Sequence, residues 1–161
     1  MIVILIGASG AGKTTVGGIL ALRLGWSFHD ADDLHPQHNI EKMRRGMALT
    51  DDDRRPWLGA VRELVERCLA ENRNAVIACS ALKQAYRDLI NPDPARVRFV
   101  YLKGSKELIA QRMARRRDHF FNPHLLQSQF DALEEPRDAI TADISGTPEQ
   151  IADSLVAVLR L

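Results

Sequence analysis

The alternation of short apolar runs with helical segments predicts an α/β fold, a doubly wound parallel sheet of five strands with helices on both faces. Ile2–Ile6 is a continuous run of β-branched residues and leucine that leads into glycine, which is typical of a strand buried on both faces. Similar runs lie at residues 26–30, 75–79 and 97–102, and a weaker fifth at 139–144. Strands that alternate with helices indicate a parallel sheet covered on both faces, because parallel neighbours need long crossover connections.

Helical periodicity fills the gaps between the predicted strands. Residues 52–72 carry apolar side chains at helical spacing, namely Val61, Leu64, Val65, Cys68 and Leu69. The last segment begins with Thr147, whose hydroxyl can cap a helix, and Pro148 follows at the first helical position. These segments supply the crossovers of the predicted fold.

The composition predicts a single cytoplasmic domain spanning residues 1–161. A chain of 161 residues with a net charge of +1 has no overall electrostatic field that would attract nucleic acid or an acidic membrane surface. No apolar run approaches the roughly 20 residues that span a bilayer, and no secretory signal pattern precedes the first strand. Cys68 and Cys79 are the only two cysteines, which indicates buried thiols in a reducing compartment.

Directly after the first strand, the sequence GASGAGKT at residues 7–14 matches the phosphate-binding pattern GxxxxGK[ST]. Glycines at this turn let consecutive N–H groups converge on an anion, at the positive end of the following helix. Lys13 is expected to reach the β- and γ-phosphates, and the Thr14 hydroxyl to bind Mg²⁺. The residues predicted to bind nucleotide here are Gly7, Ala8, Ser9, Gly10, Ala11, Gly12, Lys13, Thr14 and Thr15. The motif predicts ATP or GTP with Mg²⁺ and leaves the phosphoryl acceptor open.

Two aspartates at the end of the second strand complete the predicted chemistry. A switch or motor NTPase usually carries an acid at the end of another strand, but the third strand ends in Cys79 and Ser80. Asp30 and Asp32 instead lie where ligands bind, beyond the carboxyl ends of parallel strands. We expect Asp30 to be an outer-shell Mg²⁺ partner and Asp32 to accept a proton from an attacking hydroxyl, or to orient that hydroxyl. The sequence leaves open which of the two carboxylates is the base. The alternative is a solvated acidic turn.

Several longer segments carry a specific resemblance. HDADDLHP at 29–36, NIEKM at 39–43, LTDDDRRPWL at 49–58, CSALKQAYRDL at 79–89 and HFFNPHLLQSQFDALEEP at 119–136 occur in this order. Together they resemble the gluconokinase family, over essentially the whole chain. Ala48 departs from it, standing where the family usually has proline.

The resemblance implies a small P-loop kinase, related in fold to shikimate and adenylate kinases. Such an enzyme transfers the γ-phosphoryl group of ATP to the 6-hydroxyl of D-gluconate. It also implies a homodimer as one expected assembly, because relatives in this family are often dimers.

A site for gluconate should combine cations for the carboxylate with short polar groups for the hydroxyls. By analogy with related sugar-acid kinases, Arg54 is the expected carboxylate anchor; a salt bridge to Asp51, Asp52 or Asp53 is the alternative. His35 is a candidate hydroxyl partner or, alternatively, a residue of a helix entry. Lys83 is expected in the same crevice.

Four further residues lie near this crevice in the sequence. Ser80 is predicted to hydrogen-bond a metal-bound water. Tyr86 and Arg87, one helical turn beyond Lys83, fit a place in the crevice and a role in packing and surface charge equally well. Trp57 is expected in the core.

The basic stretch after the fourth strand predicts a lid over about residues 112–129. Arg112 and Arg116 share a helix face, and in related kinases arginines here cover the nucleotide and neutralise the transferred group. Arg115 and Arg117 fit a solvated helix face. The predicted lid also carries His119 and Gln129, which are candidate acceptor contacts. Pro148 is a candidate wall of the adenine pocket, although helix capping at Thr147 already explains its position.

Two rival functions remain at this stage. The nearer one keeps the chemistry and changes the acceptor to shikimate, another sugar acid or a nucleoside monophosphate. The other is a regulatory nucleotide-binding module without kinase activity. Such a module is expected to carry an acidic metal site on the third strand, where this chain has Cys79 and Ser80.

Overall fold

The computed structural model describes residues 1–116 and 123–159. Its five strands are β1 (Ile2–Ile6), β2 (Ser27–Asp30), β3 (Ala75–Ala78), β4 (Val97–Lys103) and β5 (Ile140–Asp143). Its helices are α1 (Lys13–Leu24), α2 (Gln37–Arg44), α3 (Asp51–Ala70), α4 (Gln84–Ile90), α5 (Lys106–Ala114), α6 (Pro123–Ala132) and α7 (Pro148–Leu159), with a 3₁₀ turn at Ala31–Leu34. The five predicted strands are confirmed, with ends that differ by one residue or none.

All strand pairs are parallel, in the order β2-β3-β1-β4-β5. The register aligns Leu5 of β1 and Asp30 of β2 with Ala78 of β3. The residues that follow these three strands therefore emerge side by side at one edge of the sheet. This alignment places the glycine-rich turn, the Asp30 to Asp32 turn and Ser80 together.

Alternate residues of β1 face two separate apolar cores. Ile2, Ile4 and Ile6 pack with the buried side of α3 and with α4, whereas Val3 and Leu5 pack with α1, α5 and α7. The five apolar residues that predicted α3 are all buried. The predicted fold, with helices on both faces of the sheet, is confirmed, and no helix in the described parts of the chain is long and apolar enough to cross a membrane.

Side chains cap the first turns of α3 and α7. Thr50 and Asp53 form a reciprocal capping box at the start of α3, with Asp53 N donating to Thr50 Oγ1 over 3.1 Å. The predicted cap of α7 is also present, because Gln150 N donates to Thr147 Oγ1 over 3.2 Å.

The two cysteines are free and buried, as predicted.

Arg87 is a buried charge that ties the loop after β3 to the chain after α6. Only 2% of it is exposed, and its guanidinium donates to the carbonyl oxygens of Ala81 at 2.9 Å, Leu82 at 3.0 Å and Glu134 at 2.7 Å. Ala81 has a φ of 33°, which is uncommon for a residue other than glycine. Arg87 therefore holds this loop in shape, and neither packing nor surface charge describes its role.

Replacing Arg87 by leucine is expected to destabilise the fold by about 3 kcal/mol, because buried carbonyl groups lose their donors. Urea denaturation measures the change. Arg55→Leu is the matched control, since the Arg55 side chain is 73% exposed and its loss should cost under about 0.5 kcal/mol. An Arg87→Leu protein as stable as the control would contradict this role.

Candidate active site

The glycine-rich turn between β1 and α1 forms a cradle of backbone N–H groups. Gly10 has a φ of 82°, and a Cβ there would lie 2.6 Å from Cγ of Met113, so only glycine fits. Gly12, with a φ of 94°, is the N-cap of α1. The helix thus begins at the turn with its unpaired N–H groups directed at the same space, as an anion-binding site requires.

Lys13 lies folded over this turn. Its ammonium donates to the carbonyl oxygens of Gly7 and Ala8, both at 2.9 Å. Burial lowers the pKa of Lys13, whereas the Asp32 carboxylate acts to raise it. The ammonium is therefore held at the turn by backbone oxygens that a phosphate could replace.

Thr14 and Asp30 form the candidate metal site. Thr14 Oγ1 donates to Asp30 Oδ2 over 2.6 Å, and the other carboxylate oxygen of Asp30 accepts from Asp32 N over 3.0 Å. Mg²⁺ prefers oxygen ligands and in kinases takes few of them from the protein. A hydroxyl and a carboxylate at hydrogen-bond distance, beside the phosphate cradle, fit that requirement.

A cavity of about 290 Å³ opens beside the cradle. Its walls come from the turn after β1 and the start of α1, the turn after β2, α2 and the loop that follows it, α3, the loop after β3, α4 and α6. The predicted site residues that line it are Ser9, Lys13, Asp32, His35, Arg54, Ser80 and Gln129. Groups predicted separately for phosphate, proton transfer and acceptor binding therefore share one cavity.

His35 is a neutral hydrogen-bond donor toward this cavity. Its ring stacks on Trp57 with a centroid separation of 4.3 Å, and burial, together with Arg54, lowers its pKa to about 4. Asn39 Nδ2 donates to the Asp53 carbonyl at 2.9 Å and lies 3.2 Å from His35 Nδ1. Because the Asp53 carbonyl can only accept a hydrogen bond, the Asn39 atom that faces it must be the amide nitrogen. The same nitrogen therefore donates to Nδ1 of His35, and the proton of the neutral His35 ring lies on Nε2.

Arg54 lies in the cavity wall within a cluster of polar groups. Its guanidinium donates to the Tyr86 hydroxyl over 3.2 Å and lies 4.0 Å from Asp51 Oδ1. Lys83 donates to the same Asp51 oxygen over 3.1 Å and does not line the cavity. Arg54 thus faces the cavity and also lies beside Asp51, which is the ion-pair alternative.

Gln129 connects α6 to the phosphate cradle. Its Oε1 accepts a hydrogen bond of 2.6 Å from Ser9 N. The amide oxygen therefore occupies a donor of the cradle, and the same side chain lines the cavity.

The remaining predicted residues lie around the cradle or outside the described part of the chain. Arg112 donates to the carbonyl of Ile144, which lies between β5 and α7. Pro148 is the first residue of α7, so Arg112 and Pro148 both lie at the β5–α7 connection. Arg116 is exposed and close enough to Lys13 to lower its pKa. Thr15 is exposed in the first turn of α1. His119 lies outside the described residues.

One contributor to the site was not predicted from the sequence. Asn39 orients His35, and nothing in its local pattern distinguishes it from a helix surface residue. For Tyr86 the sequence left a place in the crevice and plain packing open, and the structure shows that it lines the cavity and bonds to Arg54. Trp57 is buried, as predicted, and in addition supports the His35 ring.

Known proteins resemble this chain in sequence and in fold. A sequence model of the shikimate kinase family matches residues 9–159. The solved structure of a gluconokinase from Sinorhizobium meliloti 1021 superposes with a TM-score of 0.88 at 41% identity, covering 98% of this chain and 90% of that one. Shikimate kinase from Aquifex aeolicus superposes with a TM-score of 0.64 at 20% identity, which shows a shared fold alone.

Curated relatives match at similar identity. The thermoresistant gluconokinase of Escherichia coli K12 is 40% identical over 163 residues, covering 99% of this chain and 93% of the relative. The gluconokinase of Gluconobacter oxydans is 44% identical over 135 residues, covering 84% of this chain and 76% of the relative. On these matches and on its P-loop kinase fold, the chain belongs to the gluconokinase family.

Proposed function

We propose that this chain transfers the γ-phosphoryl group of ATP to the 6-hydroxyl of D-gluconate, giving 6-phospho-D-gluconate and ADP. One observation carries the proposal: a single cavity joins the phosphate cradle and Lys13 to Asp32 and Arg54. Family membership supports gluconate as the acceptor, because relatives that match nearly the whole chain are gluconokinases.

On the nucleotide side, the cradle N–H groups and Lys13 bind the phosphates. Lys13 exchanges the carbonyl oxygens of Gly7 and Ala8 for phosphate oxygens, which is favourable because ammonium–phosphate contacts are charge-assisted. Thr14 and Asp30 would hold Mg²⁺, which supplies charge neutralisation at the phosphates when bound. Arg116, near Lys13, is assigned to the transferred group, and Arg112 and Pro148 to the nucleotide side of the crevice.

On the acceptor side, Asp32 orients the attacking hydroxyl and accepts its proton as the phosphoryl group transfers in line. Arg54 binds the gluconate carboxylate as a planar two-pronged donor. His35 donates from Nε2 to a substrate hydroxyl, and it stays neutral at pH 7 because its pKa is about 4. Ser80 is assigned to a metal-bound water.

We assign the lid to residues 112–129, with Gln129 as its contact to the cradle. Phosphate binding at the turn would displace the Gln129 oxygen from Ser9 N and free the amide for the acceptor. Closure then excludes water that would otherwise hydrolyse ATP. The placement of His119 within this segment makes it a candidate acceptor contact.

An ADP-release assay with a panel of acceptors tests the function. D-gluconate is expected to give a rate far above the acceptor-free background, while shikimate, neutral hexoses and nucleoside monophosphates do not. Activity on shikimate or a nucleotide, with none on gluconate, would contradict the proposal.

Lys13→Ala and Asp32→Asn are each expected to lower kcat by at least about a hundredfold, since they remove phosphate stabilisation and proton transfer respectively. Asp33→Asn is the matched control, because Asp33 lies on the same acidic turn and does not line the cavity. Steady-state kinetics and circular dichroism measure activity and folding. Near-normal turnover in Asp32→Asn, or equal losses in Asp32→Asn and Asp33→Asn, would remove Asp32 from the catalytic role.

A further inference from the structure

Asp51 has three partners, and all of them are groups that could bind an anion. Its Oδ1 accepts from the Tyr86 hydroxyl, lies 3.1 Å from Lys83 Nζ and lies 4.0 Å from the Arg54 guanidinium. The two cations also face the Tyr86 ring, each at 5.6 Å from its centroid. Asp51 therefore occupies the position of an anion in a site built from one phenol and two cations.

Only part of this cluster faces the cavity. Arg54 and Tyr86 line it, whereas Asp51 and Lys83 do not. The Asp51 side chain is 60% exposed and belongs to the first residue of α3, with solvent on its outer side. It can turn away from Arg54 and Tyr86 toward solvent, where water replaces the Tyr86 hydroxyl as a hydrogen-bond partner.

We propose that Asp51 is a specificity-determining residue that competes with the substrate carboxylate for Arg54 and the Tyr86 hydroxyl. The inference rests on the proposed function, in which Arg54 binds the carboxylate of gluconate. When the substrate binds, Arg54 and Tyr86 turn to it and Asp51 keeps its contact with Lys83.

The charges support this exchange. Arg54 and Lys83 contribute two positive charges and Asp51 one negative charge, so the three side chains together carry +1. A sugar acid brings the second negative charge and balances the cluster, whereas a neutral sugar brings none. Hydrogen bonds from Tyr86 and Lys83 lower the pKa of Asp51, so its charge is present throughout the neutral range.

Neighbouring charged groups do not take part. Asp52 pairs with Arg55 over 3.4 Å, and Asp53 pairs with Lys42 over 2.6 Å and accepts from Thr50 N. Among the three consecutive aspartates, Asp51 is the one that contacts Arg54, Tyr86 and Lys83. This arrangement gives the experiment a built-in comparison.

Asp51→Asn is expected to lower the KM for D-gluconate about threefold to fivefold, because the resident competitor loses its charge. The KM for ATP serves as the internal reference. Asp52→Asn is the matched control, since it also removes a first-turn charge from α3, from a side chain that is 87% exposed. The proposal would be overturned if the KM for D-gluconate rose or stayed unchanged in Asp51→Asn, or if it fell no further than in the control.

A double variant separates Lys83 from direct substrate binding. Lys83→Ala leaves Asp51 paired with Arg54 and Tyr86 alone, so the KM for gluconate should rise, and Asp51→Asn in the same chain should return it to the wild-type value or below. A KM that stays raised in the double variant would overturn the assignment of Lys83 to Asp51. Failure of the wild-type protein to phosphorylate gluconate would refute the proposed function instead, so the two failures are distinguishable.

Discussion

Parallel pairing of the five strands is the constraint on which the site depends. Because β1, β2 and β3 end in register, the turns after them emerge at one edge and meet without any long excursion of the chain. The phosphate cradle and Ser80 follow the fully buried strands β1 and β3, and the Asp30 to Asp32 turn follows β2, which pairs with β3 along its length. Their relative positions therefore inherit the rigidity of the sheet, as in-line phosphoryl transfer demands.

Groups that would bind substrates are held by partners within the protein itself. Lys13 rests on two carbonyl oxygens, the Ser9 amide on Gln129, and the Arg54 and Tyr86 pair on Asp51. Each of these partners can be exchanged for a substrate group of the same kind, an oxygen for an oxygen or a carboxylate for a carboxylate. Because each partner is exchanged for a substrate group, no charged or polar group of the site is left unpaired. Binding therefore depends on the charge that the substrate carries.

Local patterns in the sequence predicted what is determined locally. Ile2–Ile6 shows its burial in its own composition, Gly7–Thr14 carries its function in its spacing, and Thr147 shows its cap in the next three residues. Family resemblance added Arg54, which no local pattern separates from other arginines of α3.

Contacts between distant segments could not be predicted in this way. Asn39 orients His35 only because the Asp53 carbonyl fixes its amide, and Arg87 is buried only because the chain returns at Glu134. Whether Asp51 or another aspartate would contact Arg54 depended on Tyr86 and Lys83, which lie 35 and 32 residues further along the chain.

A crystal structure with D-gluconate and a non-hydrolysable ATP analogue is the sharpest test of the proposed phosphoryl transfer from ATP to gluconate. The account predicts the 6-hydroxyl at hydrogen-bond distance from Asp32 and the carboxylate on Arg54; a gluconate bound in the reverse direction, or away from Asp32, would contradict it.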